Sequence, residues 1–224
     1  MTSRTRTFHC AAVLFDLDGV LIDSTRCVER HWRQWADAHG LDADSILPGA
    51  HGMRNIDTMR KIAPHLDVEQ EAAQFAAQEV ADTEGVIAVD GAVSLLAGLE
   101  GTRWAVVTSC SADLAQARLR TAGLSTPPML ITGDDVSRGK PEPDPYLLAA
   151  SRLELRPADC IVVEDAPAGI AAGKRAGMQV IAIASTYSRQ QLRSSAADVL
   201  IDRLSTLILR PTSIGKIQLS VPSD

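Results

Sequence analysis

Short continuous apolar runs, each ending at a polar residue, punctuate the chain. Residues 10–15 (CAAVLF) run into Asp16, 104–107 (WAVV) into Thr108 and Ser109, 160–163 (CIVV) into Glu164 and Asp165, and 179–184 (QVIAIA) into Ser185 and Thr186. A weaker run covers Met129–Ile131. Runs of this length without alternation suit strands buried on both faces, as in parallel sheets. Helical segments are expected between them at Ala112–Ala122, Pro145–Leu153 and Ala168–Ala176, with Gly123 and Gly177 placed for C-caps. The alternation predicts an α/β fold, a doubly wound, Rossmann-like parallel sheet.

One stretch breaks the rhythm. Residues 25–84 hold no convincing strand, and Val28, Trp32, Trp35 and His39 fall on one helical face. Further helices are expected at Asn55–Ile62 and Val68–Thr83, with Gly85 and Gly91 at the return. The expected organisation is a catalytic core of residues 1–24 and 87–224, with a helical cap of residues 25–86 inserted after the first strand. In the tail, Leu207–Leu209 and Ile217–Val221, around Pro211 and Gly215, read as a terminal β-hairpin.

Composition narrows the function. The 224 residues carry 28 acidic and 22 basic side chains, a net charge of −6, which argues against non-specific binding to nucleic acid or membrane. Neither a signal peptide nor a spanning segment is expected, because Asp16 and Asp18 interrupt the first apolar run and no run approaches ~18 residues. Cys10, Cys27, Cys110 and Cys160 show no metal-ligand spacing. Read as reduced thiols, they suggest the cytoplasm.

Four polar clusters stand at predicted strand ends, where open α/β sheets bind ligands. Asp16 and Asp18 leave a buried strand, so their desolvation must be offset by partners. An EF-hand loop starting at Asp16 fails, since Leu21 and Cys27 occupy the positions that need Gly and an acid. Thr108 and Ser109 precede a helix and can form an anion nest. Lys140 is held in the Pro-rich segment GKPEPDP. Glu164 and Asp165 add two acids to the rim of Asp16. Carboxylates ~4 Å apart repel by about 4 kcal/mol at an effective dielectric of 20, so the cluster calls for a hard cation such as Mg²⁺. A nucleophilic carboxylate, a divalent metal, a fixed lysine and an anion nest suit phosphoryl transfer.

The segments DLDGVLIDS, VVTS, GKPEPDPY and VVEDAPAGIAAG resemble, in order, the four motifs of the haloacid dehalogenase superfamily, and residues 25–86 resemble the helical cap of its subfamily I. The resemblance implies that Asp16 attacks phosphorus and forms an aspartyl-phosphate. Asp18 would protonate the leaving alcohol and then activate water. Thr108, Ser109 and Lys140 would hold the phosphoryl group. Asp16, the Asp18 carbonyl, Glu164 and Asp165 would hold Mg²⁺. The superfamily's dehalogenases lack an acid two residues after the nucleophile, and Asp18 is present here.

The cap, notably VERHWRQWADAHGL and His51-Gly52-Met53-Arg54, is similar to sugar phosphatases and glycerol-3-phosphate phosphatases. It implies substrate contacts from Arg54 and His51. The expected enzyme is a monomeric phosphatase of small sugar or polyol phosphates (hexose, hexitol or glycerol phosphate). A β-phosphoglucomutase-like mutase is the alternative, although Val28 stands where such mutases carry a histidine. A phospho-accepting receiver domain shares the acids, hydroxyl and lysine, but has no cap and carries its aspartate on a later strand. A non-catalytic binding module would not need all four motifs.

Overall fold

The computed structural model describes residues 5–212 and 216–222. Its centre is a six-stranded parallel sheet of β2 (Ala12–Phe15), β5 (Arg103–Val107), β6 (Leu130–Ile131), β7 (Cys160–Glu164), β8 (Gln179–Ile183) and β9 (Val199–Ile201), in the order β6-β5-β2-β7-β8-β9. The expected doubly wound α/β fold is present. Its apolar runs do not alternate in sequence because both faces are covered. Val13, Phe15, Val106, Ile161, Val163 and Ile181 join one hydrophobic cluster. Their neighbours Ala12, Leu14, Ala105, Val107, Val162 and Val180 join a second on the other face. Burying each large aliphatic side chain contributes about 1.5–3 kcal/mol.

The helices α6 (Ala112–Thr121), α7 (Asp144–Arg152) and α8 (Pro167–Arg175) cover the faces and lie within a residue or two of their predicted spans. Strand order reverses direction around β2: the chain moves to β5 and β6 on one side, then to β7, β8 and β9 on the other. The carboxyl ends of β2, β5 and β7 therefore meet at a topological switch point, and Asp16, Thr108 and Glu164 stand there.

The apolar run 10–15 divides between two sheets. Cys10 ends β1 (Thr5–Cys10), which pairs antiparallel with β11 (Ile217–Pro222), and β11 also pairs with β10 (Ile208–Pro211). The expected tail hairpin is thus two strands of a three-stranded sheet, and Gly215 lies outside the described residues. At Ala11 the chain changes sheets, its N–H donating to Asp159 O at 2.7 Å.

The inserted stretch is helical, as expected, but contains four helices: α1 (Thr25–Ala38), α2 (Ala43–Ala50), α3 (Asn55–Ile62) and α4 (Val68–Ala81). They enclose their own hydrophobic cluster around Trp32, Trp35, Met59 and Phe75. The Trp32 ring lies 4.7 Å from Phe75 and 5.5 Å from Trp35. Both ends of the insertion are tied together. β3 (Ile22–Asp23) and β4 (Ile87–Ala88) pair antiparallel, with Ile22 opposite Ala88 and Asp23 opposite Ile87. Beyond β4, Gly91 at φ 87° opens α5 (Ala92–Ala97). The remaining short helix, α9 (Arg189–Leu192), lies between β8 and β9. Among the described residues, no helix is long and apolar enough to cross a membrane.

Candidate active site

Lys140 organises the floor of the site. Its side chain is fully buried, and Nζ donates to Asp16 Oδ1 at 2.7 Å, Glu164 Oε1 at 2.7 Å and Val107 O at 3.0 Å. Burial works against the ammonium, but the Asp16 and Glu164 carboxylates outweigh it and hold the lysine well above its ordinary value. It is a buried cation aimed at Asp16.

Asp16, Glu164 and Asp165 bring carboxylate oxygens within 4.8 Å of one another, all buried. Burial pushes Asp16 up to about 7; Lys140 pulls it down, and Glu164 and Asp18 push it up again. Asp165 is held well above the usual carboxylate range by burial and then by Glu164 and Asp16. One lysine therefore faces three close acids, and a second, hard cation would complete the charge balance. The oxygen-only donor set fits Mg²⁺.

The four expected metal residues divide on geometry. Both Glu164 oxygens already have partners: Oε1 accepts from Lys140 and from Tyr146 OH at 3.0 Å, and Oε2 accepts from the backbone N–H groups of Asp165 at 2.9 Å and Ala166 at 3.1 Å. Glu164 therefore braces the lysine and the loop. Asp16 and Asp165 are the carboxylates better placed to hold an ion. The Asp18 side chain lies outside this group and accepts from Ser24, Cys110 and Arg118. Gly19, at φ 77°, lets the loop pass against Asp165, because a Cβ there would overlap the Asp165 carboxylate.

Thr108 is buried beside Asp16 and Asp18 in the wall of a cavity of about 410 Å³, within the usual size of small-ligand sites. Its hydroxyl accepts from Cys110 N–H at 3.1 Å. The Ser109 hydroxyl, expected to hold phosphate, instead donates to Gly52 O of the insertion at 2.9 Å. His51 also lines the cavity, edge-on to Tyr187 at 6.3 Å, and burial lowers its pKa.

Arg54, expected to contact substrate, is held by its neighbours. It lines the cavity, but its guanidinium pairs with Asp57 at 2.6 and 3.1 Å and donates to the carbonyls of Val136 and Ser137, each at 3.0 Å. Gly139 makes room for it, since a Cβ there would come within 2.7 Å of Arg54 Nε. The side chain is a latch between insertion and core. Tyr187 adds a second, its hydroxyl donating to Pro48 O at 2.6 Å.

Two residues that the sequence pattern did not single out are prominent here. Arg118 on α6 donates to Asp18 Oδ1 at 2.9 Å and to Glu79 Oε1 of α4 at 2.7 Å. A signal existed for both. Arg118 falls four residues after Leu114 and three after Ala115, on the buried stripe of α6, and Glu79 follows Phe75 by four on the buried stripe of α4. A charge at an apolar-periodic position implies a buried partner.

The chain is similar to known proteins over most of its length. The haloacid dehalogenase-like hydrolase family matches residues 10–177. Hexitol phosphatase A of Escherichia coli is 45% identical over 214 residues, covering 93% of this chain and 98% of that protein. Glycerol-1-phosphate phosphohydrolase 2 of Saccharomyces cerevisiae is 36% identical over 213 residues, covering 90% and 85%. The crystal structure of a hydrolase from Pseudomonas syringae superposes with a TM-score of 0.77 at 27% identity, covering 87% of this chain and 94% of that one.

Proposed function

The chain belongs to the haloacid dehalogenase-like hydrolases and is a phosphomonoester hydrolase, and on that premise we propose that it cleaves small polyol or sugar phosphates through an aspartyl-phosphate, with Mg²⁺ beside the nucleophile. The observation that carries the reading is the buried Asp16–Lys140 contact of 2.7 Å at the base of a cavity roofed by the insertion. Hexitol or glycerol phosphates are the proposed substrates, in keeping with the names of the two relatives above.

Asp16 is the nucleophile. Lys140 holds its Oδ1, so attack on phosphorus is assigned to Oδ2. Lys140 and Thr108 face the phosphoryl oxygens and offset the charge that otherwise keeps a carboxylate from a phosphate dianion. Asp16 and Asp165 would hold Mg²⁺, with Glu164 bracing Lys140; the ion would supply charge neutralisation and orientation of the phosphoryl group. Asp18 gives a proton to the leaving alcohol and later takes one from the hydrolytic water. Residues 25–86 act as the cap over a core of 1–24 and 87–224, shielding the reaction from bulk solvent. Val28 in the cavity wall, where a phosphosugar mutase would carry histidine, favours hydrolysis over transfer back to sugar. A cytoplasmic setting accords with four unpaired cysteines.

The test is phosphate release from a panel of hexitol, glycerol and hexose phosphates, with Mg²⁺ and with a chelator. Mg²⁺-dependent release from the polyol phosphates is expected. Absence of release, or release indifferent to chelation, would overturn the proposal.

A further inference from the structure

Arg118 is a buried charge that the phosphate floor does not use. It is 2% exposed, and its NH1 donates to Asp18 Oδ1 at 2.9 Å and to Cys110 Sγ at 3.1 Å. NH2 donates to Glu79 Oε1 at 2.7 Å. Glu79 is also 2% exposed, and its Oε2 accepts from Asn55 Nδ2 at 2.7 Å. A continuous chain of polar groups therefore runs from α3 and α4 of the insertion, through α6 of the core, to the residue two places after the nucleophile. Burying an arginine and a glutamate together is costly in desolvation, and such pairs are often less stable than apolar residues of the same size. A role beyond packing follows naturally.

The two oxygens of Asp18 are treated differently. Oδ1 accepts from Arg118 and also from Ser24 Oγ at 2.6 Å. Among the described residues, Oδ2 has only the Cys110 thiol, at 3.1 Å, a weak donor. One oxygen is fixed, and the other is available.

We propose that Arg118 is a positioning residue for Asp18: with Ser24 it pins Oδ1, it makes Oδ2 the oxygen that delivers the proton, and Glu79 makes this arrangement depend on the seated insertion. The proposal rests on the assignment of Asp18 as the acid. As the bond from Asp16 to phosphorus forms, the bond from phosphorus to the alcohol oxygen breaks. That oxygen keeps the electron pair and takes the proton from Asp18 Oδ2. The negative charge left on Asp18 lies against the Arg118 guanidinium, a preformed cation that needs no reorganisation. When water attacks the phosphorus held on Asp16, it gives a proton to Asp18, the bond from phosphorus to Asp16 breaks with its electron pair returning to the carboxylate, and inorganic phosphate leaves.

The test exploits the leaving group. A nitrophenolate departs without a proton, whereas a glycerol alkoxide does not, and kcat/KM reports the steps through departure of the alcohol. With Mg²⁺ present, kcat/KM is measured on glycerol 1-phosphate and 4-nitrophenyl phosphate for the native chain, Asp18→Asn, Arg118→Gln, Arg118→Lys and Glu79→Gln. Arg118→Gln should lose roughly a hundredfold on the glycerol ester and within about threefold on the aryl ester. Arg118→Lys should recover part of the loss, and Glu79→Gln should show a smaller loss with the same bias. Equal losses on both esters, or no loss, would overturn the proposal. If Arg118→Gln does not fold, the bias in Arg118→Lys and Glu79→Gln decides in the same way. A native enzyme whose Asp18→Asn variant loses both esters equally would instead remove the acid assignment on which the proposal stands.

Discussion

The floor and the roof of the cavity are built on opposite terms. The floor consists of charged side chains locked to one another at strand ends: Lys140 to Asp16 and Glu164, and Glu164 to two backbone N–H groups. The roof is a helical layer with its own hydrophobic cluster, joined to the core by the buried Arg118–Glu79 pair, by Cys27 and Val86 in the core cluster, and by polar latches. Three of these end on backbone carbonyls, with Arg54 on Val136 and Ser137, Ser109 on Gly52, and Tyr187 on Pro48. A carbonyl is a generic acceptor that water replaces at little cost, so such contacts can be broken and remade. The difference separates tasks. The floor is rigid where phosphorus chemistry needs fixed charge, and the roof carries breakable latches around one buried ion pair where an alcohol must enter and leave.

The largest expected effect lies in the floor. Asp16→Asn should abolish phosphate release, by roughly four orders of magnitude or more in kcat. Substantial residual turnover on any phosphomonoester would break the assignment of the nucleophile. Lys140→Met should cost about 3–5 kcal/mol of stability, because it leaves Asp16 and Glu164 buried without their cation. Urea unfolding measures this, and a loss below about 1 kcal/mol would show that the floor is less tightly coupled than its distances suggest.

The acids of the floor also give the metal-free chain a pH signature. Asp16 rises from an ordinary 3.8 to about 7 in the fold, chiefly through burial. The protonated form therefore favours folding: its contribution is full below the unfolded value and is lost as pH climbs through the folded one. Between about pH 4 and 7 the metal-free native chain should lose stability relative to Asp16→Asn. Mg²⁺ at a hundred times its Kd should restore about 2.7 kcal/mol. A native-minus-variant difference that is flat with pH would contradict the burial argument.

The smallest effect belongs to the roof. Arg54→Ala should raise KM for glycerol 1-phosphate about tenfold, equivalent to ~1.4 kcal/mol of docking, with little change in the melting temperature. An unchanged KM would show that the Arg54 latch does not govern closure.

The same contrast governs how much of the molecule is legible in its sequence. The central strands are legible because β2, β5 and β7 are sealed on both faces, so burial is written as an unbroken apolar run. β1 is not, because only Phe8 and Cys10 of its residues are buried and its pairing with β11 comes from the far end of the chain. β9 escapes notice as three residues, two of them only partly buried, and α2 because Pro48 and Gly49 mask a helix. In the site, Asp16, Glu164 and Asp165 stand out because a charge at the end of a buried strand is costly unless it meets an opposite charge or a ligand, and Lys140 because it lies in the Pro-rich segment GKPEPDP. Arg118 and Glu79 do not, since their partners lie 100 and 39 residues away in sequence and their helices otherwise look ordinary. The spacing also gives no means of telling that Glu164 spends both oxygens on neighbours.

The clasp of β3 and β4 has a consequence for how this protein can change. Because Ile22 stands opposite Ala88 and Asp23 opposite Ile87, the insertion leaves and re-enters the sheet domain at a single point. To the rest of the chain, everything from Thr25 to Val86 is topologically the loop of one hairpin. The entropy of closing such a loop grows only with the logarithm of its length. Foreign helical segments of quite different size could therefore be grafted between the same two strands, provided that they return an acid to Arg118 where Glu79 now stands. The enzyme is in this sense a socket with an exchangeable head, encoded by one contiguous cassette of the gene.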